Sequence, residues 1–232
     1  MRIGTWNLAG RWGPRHLRLL ERAACDVWLL TEVHDRVKLE GYSAQTTASP
    51  MRKGVAWASV LSRSPQEPVA EPHPASGAAR MNGIVFCCSI LPWRSCGSGA
   101  PWQGATHLDR TKAAVDDITA ALPSGPLIWG GDWNHALVGT EHAGSLAGRA
   151  RIDDALSRSQ LWAPTRELPH RIPGLLSIDH IAIPEGVRAT ATRVSADADG
   201  VRLSDHDLYV VECADAELAA LSAGDLGRPS SA

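Results

Sequence analysis

The sequence is short of several things that would assign it to a specialised class. It has three lysines, so 20 of its 23 basic residues are arginine, and its formal charge is −2. That balance argues against gripping nucleic acid through bulk basicity, while a local arginine patch stays open. Five cysteines, an odd number with no framework spacing and no CxxC pair, argue against a disulfide scaffold and a thiolate zinc site. Reduced thiols in a cytoplasmic protein are the expectation. No apolar run approaches the roughly 20 residues that span a bilayer. Met1-Arg2 leads straight into Ile3 and Trp6 without the apolar stretch of a secretory leader. What is present is an ordinary globular composition of 232 residues, 44% hydrophobic and 21% charged. A domain of that size buries roughly 70% of the surface its unfolded chain exposes and needs no covalent staples.

Short apolar runs alternate with amphipathic stretches, and no repeat of 20–50 residues stands out. Residues 2–8 read as a strand ending at Asn7. Residues 14–24 read as a helix, with Pro14 in its first turn and Leu17, Leu20 and Ala24 on one face. The continuous run Val27-Trp28-Leu29-Leu30 marks a buried strand over 26–33. Further strands are expected at 54–62, 83–91, from 127, and at 177–183, 189–195 and 207–213, with helices at 108–122 and 147–160. The four prolines of 64–82 make that segment read as mostly irregular. Several connections are too short for crossovers, so two sheets with helices outside fit better than one parallel sheet. The tail from Ala214 is expected to begin as a short helix and to fray after Gly224.

Asn7, Glu32, Asp132, Asn134, Asp179, Asp205 and His206 each stand at or just beyond the end of an apolar strand run. Strand ends meet water, so any one of them alone needs no function. Seven together, mostly hard oxygen donors with one imidazole, are what a rigid polar rim on a sheet core would use.

These residues sit in Thr5-Trp6-Asn7-Leu8, Leu30-Thr31-Glu32-Val33, Gly131-Asp132-Trp133-Asn134, Ile178-Asp179-His180-Ile181 and Ser204-Asp205-His206, in that order. Together the motifs resemble the endonuclease/exonuclease/phosphatase superfamily over residues 1 to 213. The resemblance implies a four-layered α/β sandwich, with two mixed β-sheets packed face to face and helices on the outside. It implies one domain over 1–213; the Ala/Ser-rich composition of 214–232 marks a partly disordered tail. The resemblance also implies hydrolysis of phosphate esters with Mg²⁺ or Mn²⁺.

A phosphodiester repels a hydroxide nucleophile, so such a site must neutralise charge and place a water in line. A hard cation takes oxygen ligands and needs one or two carboxylates. By the resemblance, Glu32 is a metal ligand, Asp205 a second carboxylate, and Asn7 touches the metal shell or a phosphate oxygen. Asp132 orients and deprotonates the water, and Asn134 donates hydrogen bonds to it or to the phosphate. The alternative is an Asx turn, in which Asp132 and Asn134 bond their own backbone. Asp179 with His206 resembles a carboxylate that orients an imidazole and raises its pKa, the ring acting either as base or as cation. His180 and His135 read as packing residues and Asp207 as merely solvated.

Two positions depart from the family pattern. Ile90 stands where many members carry a phosphate-contacting His or Tyr, and Ala9 where abasic-site endonucleases carry Asp. Ser89, Trp93, Arg94 and His107 are the candidates to replace the lost contact, and Arg94 and Trp93 are taken as substrate-binding. Arg11, Arg36, Arg52, Arg63, Arg149 and Arg151 read as loop residues able to border the metal. Trp12, Trp93 and Trp102 read as exposed and able to stack on a base. The expected substrate is nucleic acid, with a small phosphorylated metabolite or phospholipid headgroup as the alternative. A degenerate, non-catalytic phosphate-binding module is the reading from another class.

Overall fold

The computed structural model describes residues 1–224. Its first half contains β1 (Arg2–Asn7), α1 (Pro14–Ala23), β2 (Val27–His34), β3 (Ser43–Thr46), β4 (Pro50–Arg52), β5 (Val55–Ser62), β6 (Glu67–Pro68), β7 (Ser76–Met81) and β8 (Ile84–Ile90). Then follow α2 (His107–Ala121), β9 (Leu127–Asp132), α3 (Leu146–Arg158), β10 (Leu161–Trp162), β11 (Asp179–Pro184) and β12 (Ala189–Val194). The last elements are β13 (Asp197–Ala198), β14 (Val201–Arg202), β15 (Leu208–Cys213) and α4 (Asp215–Gly224).

One sheet runs β12-β15-β1-β2-β5-β3, with β4 also on β5; the other runs β10-β11-β9-β8-β7-β6. Both are mixed. The parallel steps are β1–β2 and β8–β9, and each needs a crossover, which α1 and α2 supply. Three apolar clusters fill the spaces between four layers. Leu19 and Leu20 of α1 pack on Trp6, Trp28 and Leu30 of the first sheet. Ile3, Leu29 and Val60 meet Phe86, Ile128 and Ile181 between the sheets. Val115, Ile118, Ile152 and Ala155 of α2 and α3 cover Cys87 and Trp129 of the second sheet. The chain is therefore a four-layered α/β sandwich, and each large side chain buried this way contributes roughly 1.5–3 kcal/mol.

Several local expectations need correction. Residues 64–82 are not irregular throughout, because β7 pairs with β8 from Met81↔Ile84 to Ser76↔Ser89. Asn82 and Gly83 join them with φ of 50° and 78°, the backbone a two-residue hairpin requires. The buried stripe of α1 is His16, Leu19, Leu20 and Ala23. Ala24 lies outside it as the left-handed C-cap, with φ 50°. Arg149 and Arg151 stand on α3 and Arg52 closes β4, so none of the three is a loop residue. Helix α4 stands where a short helix was expected. Fraying after Gly224 falls outside the described residues.

Candidate active site

The expected polar residues meet where the ends of the two sheets abut. Parallel β1 and β2 finish side by side, with Asn7 opposite Thr31, and antiparallel β9 and β11 set Asp132 opposite Asp179. Glu32 reaches this seam through a backbone irregularity. Its φ is 47°, and Leu30 and Val33, three residues apart, both pack on the α1 side. Strict alternation would forbid that, so the left-handed residue shifts the pattern by one and turns Glu32 toward the other sheet.

Asn7 is the link across the sheets. Its Nδ2 donates to Glu32 Oε1 at 3.2 Å and to Asp132 Oδ2 at 2.9 Å, while its Oδ1 accepts the Ala9 N–H at 2.8 Å. Asp132 Oδ1 accepts the Asn134 N–H at 3.0 Å, so the Asx turn is present while Oδ2 accepts from Asn7 and faces His206. Asn134 has φ 53°, and its side-chain amide donates to the Leu91 carbonyl at 3.0 Å. His206 Nδ1 lies 2.8 Å from Asp179 Oδ2, and its Nε2 lies 3.9 Å from Asp132 Oδ2. Ser204 fixes this loop to the first sheet: its hydroxyl donates to the Asn7 carbonyl at 2.6 Å and accepts the His206 N–H at 3.1 Å.

Burial pushes the Asp132 carboxyl up to about 7; the His206 charge opposes that rise and the Asp179 charge adds to it. Burial raises Asp179 as well, against the pull of His206. For His206, burial disfavours the charged ring, yet Asp179, Asp132 and the hydrogen bond to Asp179 outweigh it and push the pKa up to about 10. Asp179 and Asp132 thus favour the charged ring of His206. Asp132, Asp179 and His206 offer ligand atoms within 4.8 Å of one another, among the described residues the one such cluster. A protonated imidazole has no lone pair for a metal, so a cation held by all three would have to displace the His206 proton. Glu32 and Asp205 lie outside that trio. Glu32 is half-buried, with Oε1 toward Asn7 and Oε2 toward Arg52 Nη1 at 3.1 Å. Asp205 is exposed, and its carboxylate meets Ser204 Oγ at 3.5 Å. Carboxylate oxygens of this kind suit a hard cation such as Mg²⁺ or Mn²⁺.

Arg94 and Trp93 are not drawn into this group. Arg94 Nε donates to the Gly144 carbonyl at 2.9 Å, and Trp93 packs edge-on to Trp102. Trp102 is not exposed, at 4%, and stacks on His73. Ile90 is buried in the cluster beneath α2 and α3. Asp207 is not solvated: it is 1% exposed and pairs with Arg193 and Arg202 while accepting the Ala196 N–H. Its alternate-face position was legible, but the arginines that meet it come from β12 and β14, which only the fold brings near. His180 faces away from the site, with Nε2 2.9 Å from the His135 carbonyl. Ser204 lies inside the Ser204-Asp205-His206 motif, and its hydroxyl, a polar group there that could bridge to another segment, bonds Asn7 and His206.

A family model described as the endonuclease/exonuclease/phosphatase family matches residues 4–206. Among solved structures, an AP endonuclease from Archaeoglobus fulgidus is similar at 17% identity, TM-score 0.67, over 92% of this chain and 99% of that one. A 3′-5′ exonuclease from Neisseria meningitidis is similar at 20% identity, TM-score 0.65, over 92% and 99%. An endonuclease/exonuclease/phosphatase family protein from Leptotrichia buccalis is similar at 14% identity, TM-score 0.61, over 92% and 99%. No curated protein matches the sequence.

Proposed function

Because the chain belongs to the endonuclease/exonuclease/phosphatase family, we propose that it is a divalent-metal-dependent phosphodiesterase acting on nucleic acid. The observation that carries this reading is the unbroken chain of contacts from Glu32 through Asn7 and Asp132 to His206 and Asp179. Glu32 and Asp205 would hold Mg²⁺ or Mn²⁺, with Asn7 beside Glu32. The bound ion would offset phosphate charge and make water a better nucleophile. Asp132, held by Asn7 and the Asn134 N–H, orients the attacking water and accepts its proton. A carboxyl pKa of about 7 suits a base working near neutrality. His206, kept protonated by Asp179, stabilises the charge that develops on the phosphoryl oxygens. Asn134, whose amide is anchored on Leu91 O, offers its second N–H to the same oxygens.

Nucleic acid is favoured because solved proteins of this fold include an AP endonuclease and a 3′-5′ exonuclease. The arginine-dominated basic set suits phosphate contact as well. We treat residues 1–213 as one domain, since β1 and β15, at its two ends, are neighbours in one sheet. Among the described residues no helix is long and apolar enough to cross a membrane. The buried, unpaired thiols of Cys25, Cys87, Cys88 and Cys213 support a cytoplasmic location. The test is turnover with Mg²⁺ or Mn²⁺ on single- and double-stranded DNA, abasic DNA, RNA, phospholipids and sugar phosphates. The expected result is cleavage of a polynucleotide; turnover confined to a lipid or a sugar phosphate would overturn the substrate assignment.

A further inference from the structure

Among the described residues, Arg52 is the arginine that pairs with a carboxylate of the site. Its Nη1 donates to Glu32 Oε2 at 3.1 Å and its Nη2 to the Ala9 carbonyl at 3.2 Å. The backbone makes room for it. Gly10 has φ +67°, and a Cβ there would stand 2.3 Å from Arg52 Nη2. The guanidinium thus has a seat shaped by a left-handed glycine, a carbonyl and a carboxylate. It lies one carboxylate away from Asn7, which in turn touches Asp132.

We propose that Arg52 is a phosphate-binding residue of this site and that it competes with the divalent cation for Glu32. The inference rests on the phosphodiesterase reading and names a residue of the first sheet, on β4, that would supply a phosphate contact. Glu32 is 21% exposed and Arg52 49% exposed, so one carboxylate oxygen of a half-buried acid is neutralised by a side chain with room to move. A divalent cation held by Glu32 would repel the positive guanidinium on the same carboxylate. Cation binding at Glu32 would weaken that pair and free the Arg52 guanidinium. A guanidinium carries five N–H donors in a planar fork that matches phosphate oxygens, so an incoming phosphodiester becomes its next partner. Arg94, the loop arginine singled out in the sequence, is engaged on Gly144 instead.

Loss of Arg52 then has opposite effects on the two ligands. Mn²⁺ binding to the metal-free full-length protein, followed by electron paramagnetic resonance, is expected to tighten roughly fivefold in Arg52→Gln, the scale of an exposed ion pair. KM for bis-p-nitrophenyl phosphate at saturating Mn²⁺ is expected to rise about tenfold or more, the scale of a charged hydrogen bond. Arg52→Lys keeps the charge without the fork and should hold Mn²⁺ affinity within about twofold while raising KM. A merely structural arginine would weaken both ligands together. Unchanged or weaker Mn²⁺ binding in Arg52→Gln overturns the inference. If the wild type binds Mn²⁺ but hydrolyses no phosphodiester, the parent reading fails and the Mn²⁺ comparison still decides the competition.

Discussion

At the scale of single residues, the site is a set of charges that hold one another in place. His206 has the clearest consequence. Its pKa is raised from 6.5 to about 10 by Asp179 and Asp132 against the cost of burial. A raised folded-state pKa stabilises the fold fully below 6.5, and that contribution fades as pH rises through about 10. Asp132, raised from 3.8 to about 7 by burial, has the same sign, its contribution being lost between those values. The metal-free protein should therefore lose stability on going from pH 6.5 toward 10. Imidazole NMR should find His206 still protonated at pH 8 and, in Asp179→Asn, titrating at lower pH. A ring that titrates near 6.5 in the wild type would contradict the assignment of a cationic His206. The residue types of the site were legible because seven of them stand together in five ordered motifs, although any one alone at a strand end is ordinary. Three features were not legible. Nothing in the Glu32 side chain announces its left-handed backbone, Asp207 finds its arginines only through tertiary folding, and Trp102 is covered by His73 from a distant loop.

At the scale of elements, the strongest local constraint is the glycine pair that precedes Asp132. Gly131 has φ 125°, and a Cβ on it would lie 2.2 Å from the backbone oxygen of Ser89 in β8. At Gly130 a Cβ would lie 2.6 Å from the His180 carbonyl. Neither neighbour is the flexible end of a side chain, so the strands must separate to admit a methyl group. Gly131→Ala is expected to cost about 3 kcal/mol in urea unfolding and to lower activity by displacing Asp132. A change below about 0.5 kcal/mol would show that the close approach does not constrain β9. Long apolar strands such as β2, β5, β8 and β9 were readable because both of their faces are covered. Strands β3, β4, β6, β13 and β14 are short, and their mostly exposed residues carry no hydrophobic signature. Strand β7 was hidden by prolines upstream and by its small residues Ser76-Gly77-Ala78-Ala79, although Asn82-Gly83 was a hairpin signal in plain view.

At the scale of the whole molecule, the candidate site is a product of sheet packing. Asn7 and Glu32 come from one sheet and Asp132 and Asp179 from the other, so no single sheet contains the site. The order of strands and helices suggested two sheets with helices outside, and the recognised motifs supplied the layer count that composition could not. How the sheets meet depends on the middle cluster, where Leu29 and Val60 face Phe86 and Ile128, and pairwise facing of that kind has no sequence signature. The most direct measurement is hydrolysis of bis-p-nitrophenyl phosphate by the chelator-treated protein before and after Mn²⁺ is restored, in the wild type and in Asp132→Ala. Activity is expected only with the metal, with a loss of roughly 100-fold or more in the variant. Chelator-insensitive turnover, or a full rate in Asp132→Ala, would contradict it.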